Sequence, residues 1–496
     1  MNSIVTSHIA AVFATPALLL AGLWFVRQSL RYYFTPRVTS LTSSLLLFST
    51  NLFFMGINVV PFLPVLLFTL YAILVFLVIA WYHHPAWLTS LTAGIIMGLI
   101  ILFHPAFYFA LLIPLLWHRN PASGKNKMSL IRENIFQVAG FFIVTVVVAV
   151  IALWALKAKP GEIPLFGLQL PGMFTVGSKY LWTNLFSFDH GWLIYTPVLI
   201  VPAAGFYFLA ENKKTLFLPL FLFCTLDITA ESCWTKFDSS QCFGQTAFLQ
   251  LYGLLAFPAA AFISWVLSGK KIRRLAFFTL LALFSALNVF QGWQYRNSIL
   301  PSTGMNAEVY GMTFGRTHLT MNEKWRMVEI TGDETGLTLI RKDMVPETLM
   351  DYDFGHPPSG SMIHFEANPV SAGRYALRLD TGMRFSPGID IPFRELTRQP
   401  RALVRITANI YCKKPLPAGN LFLVLASSHE GNYYRYRADD IKSHNPAPGK
   451  WQTVSFDYLV PVHPDPADRM QGYLYYTGNQ LVLTDHIRYE VLEQKD

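Results

Sequence analysis

The sequence is poor in charge and in cysteine. Only 14% of its 496 residues are charged, against roughly 25% in an average soluble domain. No Asp or Glu occurs before Glu133, and four cysteines are too few for a disulfide scaffold. Neither a glycine-rich phosphate loop nor zinc-ligand spacing occurs. These absences exclude an ordinary soluble chain, a disulfide-stapled protein and the standard phosphate-loop and zinc motifs.

Long apolar runs are present instead, and they stop near residue 290. A membrane-spanning helix needs about 20 apolar residues, and we predict about ten spans. Their positions are 8–26, 39–57, 60–82, 86–103, 105–117, 134–156, 191–210, 214–230, 246–267 and 273–290. The fourth and fifth form either one broken helix or a tight hairpin. No basic residue precedes the first run, which indicates a retained helix and not a signal peptide.

This unevenness predicts the domain plan. We expect a polytopic α-helical membrane domain over 1–290, a connecting region over 291–344 and an antiparallel β-sandwich over 345–496. The strand-like stretches of the last part are GRYALRLD, ALVRITANIYC, NLFLVLASS, NYYRYRA, WQTVSFDYLV and GYLYYTG. Turn sequences such as HEGN, NPAPGK and PDPAD separate them.

Basic residues in the predicted loops set the orientation. They lie in four groups: Arg27, Arg31 and Arg37; Arg119, Lys125, Lys127 and Arg132; Lys213 and Lys214; Lys270, Lys271, Arg273 and Arg274. With about ten crossings all four groups lie on one face, which the positive-inside rule makes cytoplasmic. We therefore predict an inner (plasma) membrane protein with an extracytoplasmic, or periplasmic, C-terminal domain. These short groups explain the net charge of +9 without nucleic-acid binding.

Cys233 and Cys242 flank a predicted outward loop. An oxidising outer compartment would permit a disulfide between them, and two free buried thiols are the alternative.

Aromatic residues in the last domain are candidates for glycan binding. Flat rings stack on sugars while phenol oxygens remain free for hydrogen bonds, and we take Tyr433 and Tyr476 as candidates. In a regular strand, however, Tyr434 and Tyr436 share one face and the intervening arginines the other, which favours buried tyrosines. The closing stretches GKWQTVSFDYLVPV and QGYLYYTGNQLVLTDHIRYEVLE resemble jelly-roll carbohydrate-binding-type modules of bacterial surface proteins.

Five blocks in the membrane part carry a second resemblance. They are STNLFF, GIIMGLIILFHPAFYFALLIPLLW, NLFSFDHGWLIYTPVLIVPAAGFYFL, SCWTKFDSSQCFGQTAFLQLYGLLAFPAAAF and QGWQYRNSILPSTGM, in this order. Together they resemble bacterial GT-C superfamily glycosyltransferases, mannosyltransferase-like membrane enzymes that use polyprenyl-phosphate sugars. The resemblance implies cell-envelope glycan assembly, with substrate contacts at Asp189, His190 and Gln245. A water-facing turn into the next helix is the alternative for Asp189 and His190.

The chain also departs from the GT-C pattern. His104-Pro105 stands where Arg-Pro is usual, Thr246 replaces an arginine, and the family's acidic pair in the first outward loop is missing. Sugar transfer needs a base for the acceptor hydroxyl and cations for the phosphate. Asp227 and Glu231, one helical turn apart, and Asp238 are the candidate replacements. A helix-end position in the membrane interface is the alternative for Asp227.

Three functional hypotheses follow. The chain is an active transferase, with a divalent cation as its one candidate cofactor. Otherwise it is a non-catalytic scaffold or partner subunit in the lipid bilayer, which displays a glycan- or protein-binding sandwich beside another membrane protein. The third hypothesis is a chain whose first helices and catalytic loop precede its present start. The missing acids favour the second and third.

Overall fold

The computed structural model divides into two units, Met1–Thr335 and Gly336–Asp496. The structure describes residues 2–57, 62–103, 107–117, 127–155, 178–233, 243–301, 303–331, 337, 340–355, 364–371, 374–399, 401–461, 465 and 467–494. Cys242 and Asp238 lie outside these ranges, so the choice between a Cys233–Cys242 disulfide and two free thiols, and the role of Asp238, stay expectations from the sequence.

The first unit is helical. In chain order its helices are α1 Asn2–Arg31, α2 Pro36–Ser49, α3 Leu52–Ile57, α4 Phe62–His83, α5 Trp87–Phe103, α6 Leu112–Leu116, α7 Lys127–Glu133, α8 Ile135–Ala155, α9 Ser178–Phe186, α10 Trp192–Tyr195, α11 Ile200–Asn212, α12 Lys214–Ser232, α13 Tyr252–Ser268, α14 Lys271–Arg296, α15 Ala307–Thr313 and α16 Met321–Thr331.

Within the described residues, five helical segments are long and apolar enough to cross a bilayer. They are Phe13–Arg31, Phe62–His83, Lys214–Ser232, Leu249–Ser268 and Lys271–Arg296. Helices α7 and α8, bent by 77° to one another, make a sixth if they form one span. A membrane-type helical unit is thus confirmed, whereas the predicted count of about ten spans is not.

Hydrogen bonds from polar side chains explain part of the difference between the predicted and the observed number of spans. The predicted segment 39–57 is divided between α2 and α3 because Thr50 adopts an extended backbone after Ser49. The Thr50 hydroxyl donates to the Leu46 carbonyl, and Asn51 turns its amide toward residues far along the chain. Side chains that bond the backbone in this way compete with helix continuation.

Burial distinguishes the central helices from the outer one. Phe68, Tyr71 and Ile79 of α4 and Phe257 of α13 are fully buried, so these helices lie inside the unit. Helix α14 instead exposes a series of large apolar side chains, namely Ile272, Leu275, Leu280, Leu283 and Trp293. An apolar helix surface without protein contacts is typical of contact with lipid.

The second unit is an antiparallel β-domain, which confirms the predicted class. Its strands are β1 Met344–Tyr352, β2 Phe365–Glu366, β3 Ala376–Leu379, β4 Ile389–Pro392, β5 Leu403–Cys412, β6 Leu421–His429, β7 Asn432–Asp440, β8 Trp451–Leu459, β9 Arg469–Tyr476 and β10 Val482–Gln494. A six-stranded sheet has the order β2-β3-β10-β5-β8, with β1 also paired to β10, and a four-stranded sheet has the order β4-β9-β6-β7.

One apolar core joins the inner faces of the two sheets. In β5 the buried Val404 and Ile406 point inward, and in β6 the buried Leu423 and Leu425 do so. Because successive side chains of a strand alternate, the residues between them face outward. The outer face of the four-stranded sheet therefore carries the outward side chains of β6, β7 and β9.

Candidate functional site

Two of the predicted acids lie together inside the helical unit. Asp227 is fully buried and Glu231 is 8% exposed, one turn further along α12. Gln250 donates from Nε2 to Asp227 Oδ2 at 3.0 Å and to the Ala247 carbonyl at 2.7 Å. Tyr71 of α4, also fully buried, interacts electrostatically with both carboxylates. Asp227 therefore lies among protein groups and not at an exposed helix end.

A second polar cluster surrounds Asn51. Its Oδ1 accepts from the Tyr252 hydroxyl at 2.9 Å, and its Nδ2 donates to the Gln245 carbonyl at 3.0 Å. Trp192 Nε1 donates to the Tyr252 hydroxyl at 2.9 Å. Gln245 is 1% exposed, and its side-chain oxygen accepts from the Ala247 backbone at 3.2 Å. In this structure the Gln245 side chain forms a hydrogen bond with the backbone of its own segment.

Asp189 and His190 line a small cavity at the start of α10. His190 Nδ1 lies 3.1 Å from Asp189 Oδ1; the Asp189 side chain is 50% exposed and that of His190 10%. The cavity, about 230 Å³ with its open mouth, is also lined by Tyr195 and Gly244. A Cβ on Gly191 would lie 2.2 Å from the Ser187 carbonyl oxygen, so this turn needs glycine for close approach.

One segment, residues 243–250, connects these places. Its first residues, Phe243 and Gly244, line the Asp189 cavity, and its last, Gln250, holds Asp227. Sequence reasoning missed Asn51 and Gln250 as site residues. The available signal was a buried-type amide within an apolar run, since polar groups at membrane depth mark functional sites by default.

Metal ligands do not converge in the described part of the chain: no group of three or more His, Cys, Asp or Glu there could hold an ion. Asp227, Glu231 and Gln250 offer two carboxylates and an amide. The predicted divalent cation therefore stays a prediction.

The tyrosines of β7 are exposed, whereas strand alternation favoured their burial. Tyr433, Tyr434 and Tyr436 are 52%, 48% and 49% exposed, so the expected burial is wrong. Tyr436 lies opposite Ala426, on the outer face of the sheet, and a register shift between Ser427 and Ser428 makes Tyr434 an extra residue, so that Tyr433 lies opposite Ser428. Tyr433 and Tyr436 consequently share the outer face of this edge strand.

Tyr476 corrects the other aromatic expectation. It is fully buried in the sandwich core, and its hydroxyl exchanges hydrogen bonds with the backbone of Gln480. Its ring is not available for stacking on a glycan. In β9 it faces inward, whereas Tyr473 and Tyr475 face outward.

Five outward rings form a continuous surface on the four-stranded sheet, here named the aromatic face. Phe385 stacks on Tyr475, with centroids 4.8 Å apart and planes at 20°, and meets Tyr473 edge-on at 5.6 Å. Tyr433 and Tyr436 lie 6.1 Å apart. Val424 and Ala426 of β6 are fully buried between the rings of β7 and β9.

Hydrogen-bonding groups accompany these rings. The Tyr433 hydroxyl donates to Gln471 Oε1 at 2.6 Å. Burial first, and then the neighbouring Tyr436 and Tyr433, raise the pKa of Tyr473, which keeps it neutral. At one end Arg469 Nε donates to Asp390 Oδ1 at 2.6 Å, so the two charges neutralise each other. The aromatic face is apolar at its centre and polar at its edges.

No protein-family model and no curated protein matches the chain. The cryo-EM structure of arabinosyltransferase EmbB from Mycobacterium smegmatis aligns with 98% of this chain and 57% of its own, at 10% identity and a TM-score of 0.33. The structure of the CBM22-1 xylan-binding domain from Paenibacillus barcinonensis Xyn10C aligns with 30% of this chain and 98% of its own, at 13% identity and a TM-score of 0.22. Both TM-scores are too low to establish a shared fold.

Proposed function

We propose that the chain is a multi-pass membrane protein of cell-envelope glycan assembly, and that its sandwich holds a glycan on the aromatic face. The aromatic face carries this proposal. A pyranose ring has an apolar face of C–H groups and a rim of hydroxyls, and amphipathic rings match that pattern. Phe385, Tyr433 and Tyr436, each about half exposed, supply the rings, while Gln471 supplies an amide.

The charge balance of the aromatic face favours a neutral glycan. Asp390 and Arg469 are paired with each other, and the phenols and the Gln471 amide beside the rings carry no charge. A strongly anionic polymer would need unpaired basic residues at the centre of the face. The GT-C-like blocks of the helical unit support the same setting, an envelope glycan made from a polyprenyl-phosphate sugar.

Sugar transfer by the helical unit is the second candidate function, and the Asp227–Glu231 pair favours it. A base is needed to take the proton of an acceptor hydroxyl. Asp227 lies in α12, a candidate membrane span, and accepts a hydrogen bond from Gln250, and an acid within a span is a functional-site candidate by default. A scaffold or partner subunit that only displays the sandwich is the alternative.

Glycan binding by the full-length protein in nanodiscs tests the first proposal. An array of neutral envelope polysaccharides and oligosaccharides is the probe. Tyr436→Ala should weaken binding between about twofold and tenfold, because one aromatic contact contributes about 0.5–1.5 kcal/mol beyond its buried area.

Tyr411→Ala is the matched control, because Tyr411 packs on Trp451 and lies on the six-stranded sheet. It should bind like the wild type. Equal losses in both variants, or no binding to any glycan on the array, would refute the proposal.

A transfer assay with radiolabelled polyprenyl-phosphate sugars separates the enzyme from the scaffold. Transferase activity should vanish in Asp227→Asn and persist in Glu211→Gln, which changes an acid paired with Tyr207 on the exposed surface of α11. Glycan binding without any transfer by the wild type would establish the scaffold.

A further inference from the structure

An apolar cavity lies among α4, α5, α6, α7 and α8, and none of the residues that line it belongs to the sites described above. Its volume is about 610 Å³ with its open mouth, and Leu77, Val78, Ala93, Leu115 and Phe141 are among the residues that line it. Most of the lining is aliphatic or aromatic carbon. The cavity is large enough to take more than a water molecule.

The polar groups in the cavity wall are already hydrogen-bonded within the protein. Trp81 Nε1 donates to Gln137 Oε1 at 2.8 Å, and the Ser90 hydroxyl donates to the Gln137 carbonyl at 2.6 Å. The Tyr82 hydroxyl donates to the Pro114 carbonyl at 2.8 Å. An occupant therefore meets carbon and no unused donor, which selects an apolar guest.

The cavity is open on the apolar outer surface of the unit. Two lining residues, Leu115 and Phe142, are 53% and 41% exposed. Along α8 the next turns expose Ile143, Val146 and Val150, each by more than half of its surface. In a bilayer such a surface contacts lipid chains, so the guest reaches the cavity from the lipid.

A positive charge lies at the cavity edge. The Lys127 ammonium is 5.7 Å from the centroid of the Tyr82 ring and donates to the Leu115 carbonyl, and both residues line the cavity. Arg132 and Glu133 are the other charges on α7, and both are exposed. An ammonium beside an apolar slot matches an amphiphile with one apolar chain and an anionic head.

We propose that this cavity binds one acyl chain of an anionic phospholipid, whose headgroup phosphate is held by Lys127. The acyl chain fills the space among α4, α5 and α8, and the lipid headgroup remains at the N-terminal end of α7. The lipid contacts both arms of the α7–α8 bend of 77°. It would serve as a structural ligand of the helical unit, independent of glycan binding or transfer.

Native mass spectrometry of the full-length protein tests this site. The protein is reconstituted in nanodiscs of phosphatidylcholine with or without phosphatidylglycerol and then released. We expect one retained phosphatidylglycerol per chain and little retained phosphatidylcholine. Inorganic phosphate alone should not displace the lipid, because the acyl chain supplies most of the contact.

Lys127→Met should lower phosphatidylglycerol retention about fivefold, the factor expected for one basic residue near an anionic lipid surface. Arg132→Met is the matched control, because it removes the same charge from the same helix away from the cavity. Equal losses of retention in the two variants would show that only the surface charge of α7 matters, and would refute the proposed site.

Two further variants test the apolar part. Ala93→Phe fills the cavity, and Leu115→Trp blocks its exposed mouth without altering a buried helix contact. Each should lower retention by about tenfold or more, since roughly two buried methylene groups account for that factor. Unchanged phosphatidylglycerol retention in Leu115→Trp, with an unchanged melting temperature, would show that the acyl chain lies outside this cavity.

Discussion

Asp227 is fully buried, and a buried carboxylate is costly unless hydrogen bonds compensate its lost hydration. Gln250 supplies one such bond from the segment before α13. The i, i+4 spacing of Asp227 and Glu231 predicts that they share a helix face, and they do. Their partners Gln250 and Tyr71 come from distant parts of the chain, which no local pattern reveals.

At the end of the four-stranded sheet, His429 and Asp468 form an ion pair that depends on pH. A hydrogen bond to the Asp468 carboxylate raises the pKa of His429 above its usual value. Burial alone would raise the pKa of Asp468, but hydrogen bonds from His429 and Tyr434 lower it on balance. Each group therefore stabilises the charged form of the other.

His429→Gln should therefore destabilise the sandwich at mildly acid pH and have little effect at alkaline pH. A raised folded pKa gives stability that is fully present below the unfolded value of about 6.5 and is lost as pH rises through the folded value. The companion contribution of Asp468 is lost as pH falls through its lowered folded pKa. Thermal unfolding of the wild type and variant at several pH values measures the difference.

In an Asp468→Asn background the same histidine change should have little effect at any pH, because the partner charge is gone. A stability difference that persists at alkaline pH, or that survives Asp468→Asn, would show that His429 acts through packing.

At the scale of elements, a glycine lets the backbones of α11 and α13 approach each other closely at one position. A Cβ on Gly205 would lie 2.0 Å from the Pro258 carbonyl oxygen, a backbone atom that cannot move alone. Pro258 lies inside α13 and has no N–H to donate to the preceding turn. The contact therefore depends on glycine at this one position.

Gly205→Ala should lower the thermal stability of the helical unit, by about 1–3 kcal/mol as for an overpacked core. Gly311→Ala in α15 is the control, because a Cβ there meets nothing within 4 Å. Fluorescence-detected size exclusion after heating compares the two variants. An equal effect of both changes would show that close packing at Gly205 is unimportant.

Apolar runs predicted where most elements lie, but not how each one ends. The run 39–57 is interrupted at Thr50 and Asn51, whose side chains bond elsewhere. In β7, alternation alone does not show which face is buried: Tyr436 lies on the outer face, and a single extra residue, Tyr434, brings Tyr433 to the same face. Hydrophobic period is a local property, whereas bulges and buried amides depend on partners that only the fold brings together.

At the scale of the whole molecule, orientation in the membrane is predicted from one helix, and this prediction does not require the total number of spans. Helix α14 is long and apolar enough to cross a bilayer. Lys270, Lys271, Arg273 and Arg274 lie at its start, and among the described residues no further candidate span follows it. Lys and Arg favour the cytoplasmic side, so the start of α14 is expected inside and the sandwich outside.

Cysteine labelling in intact cells tests this orientation. Lys270→Cys and Lys450→Cys place thiols at exposed positions before α14 and in the sandwich. A membrane-impermeant maleimide should label Lys450→Cys in intact cells and Lys270→Cys only after permeabilisation. Cys224, Cys233 and Cys412 are buried, so little labelling is expected at these three thiols. The chain without an introduced cysteine measures the labelling that the native thiols give. Labelling of Lys270→Cys alone in intact cells would invert the topology and place the aromatic face in the cytoplasm, away from envelope glycans.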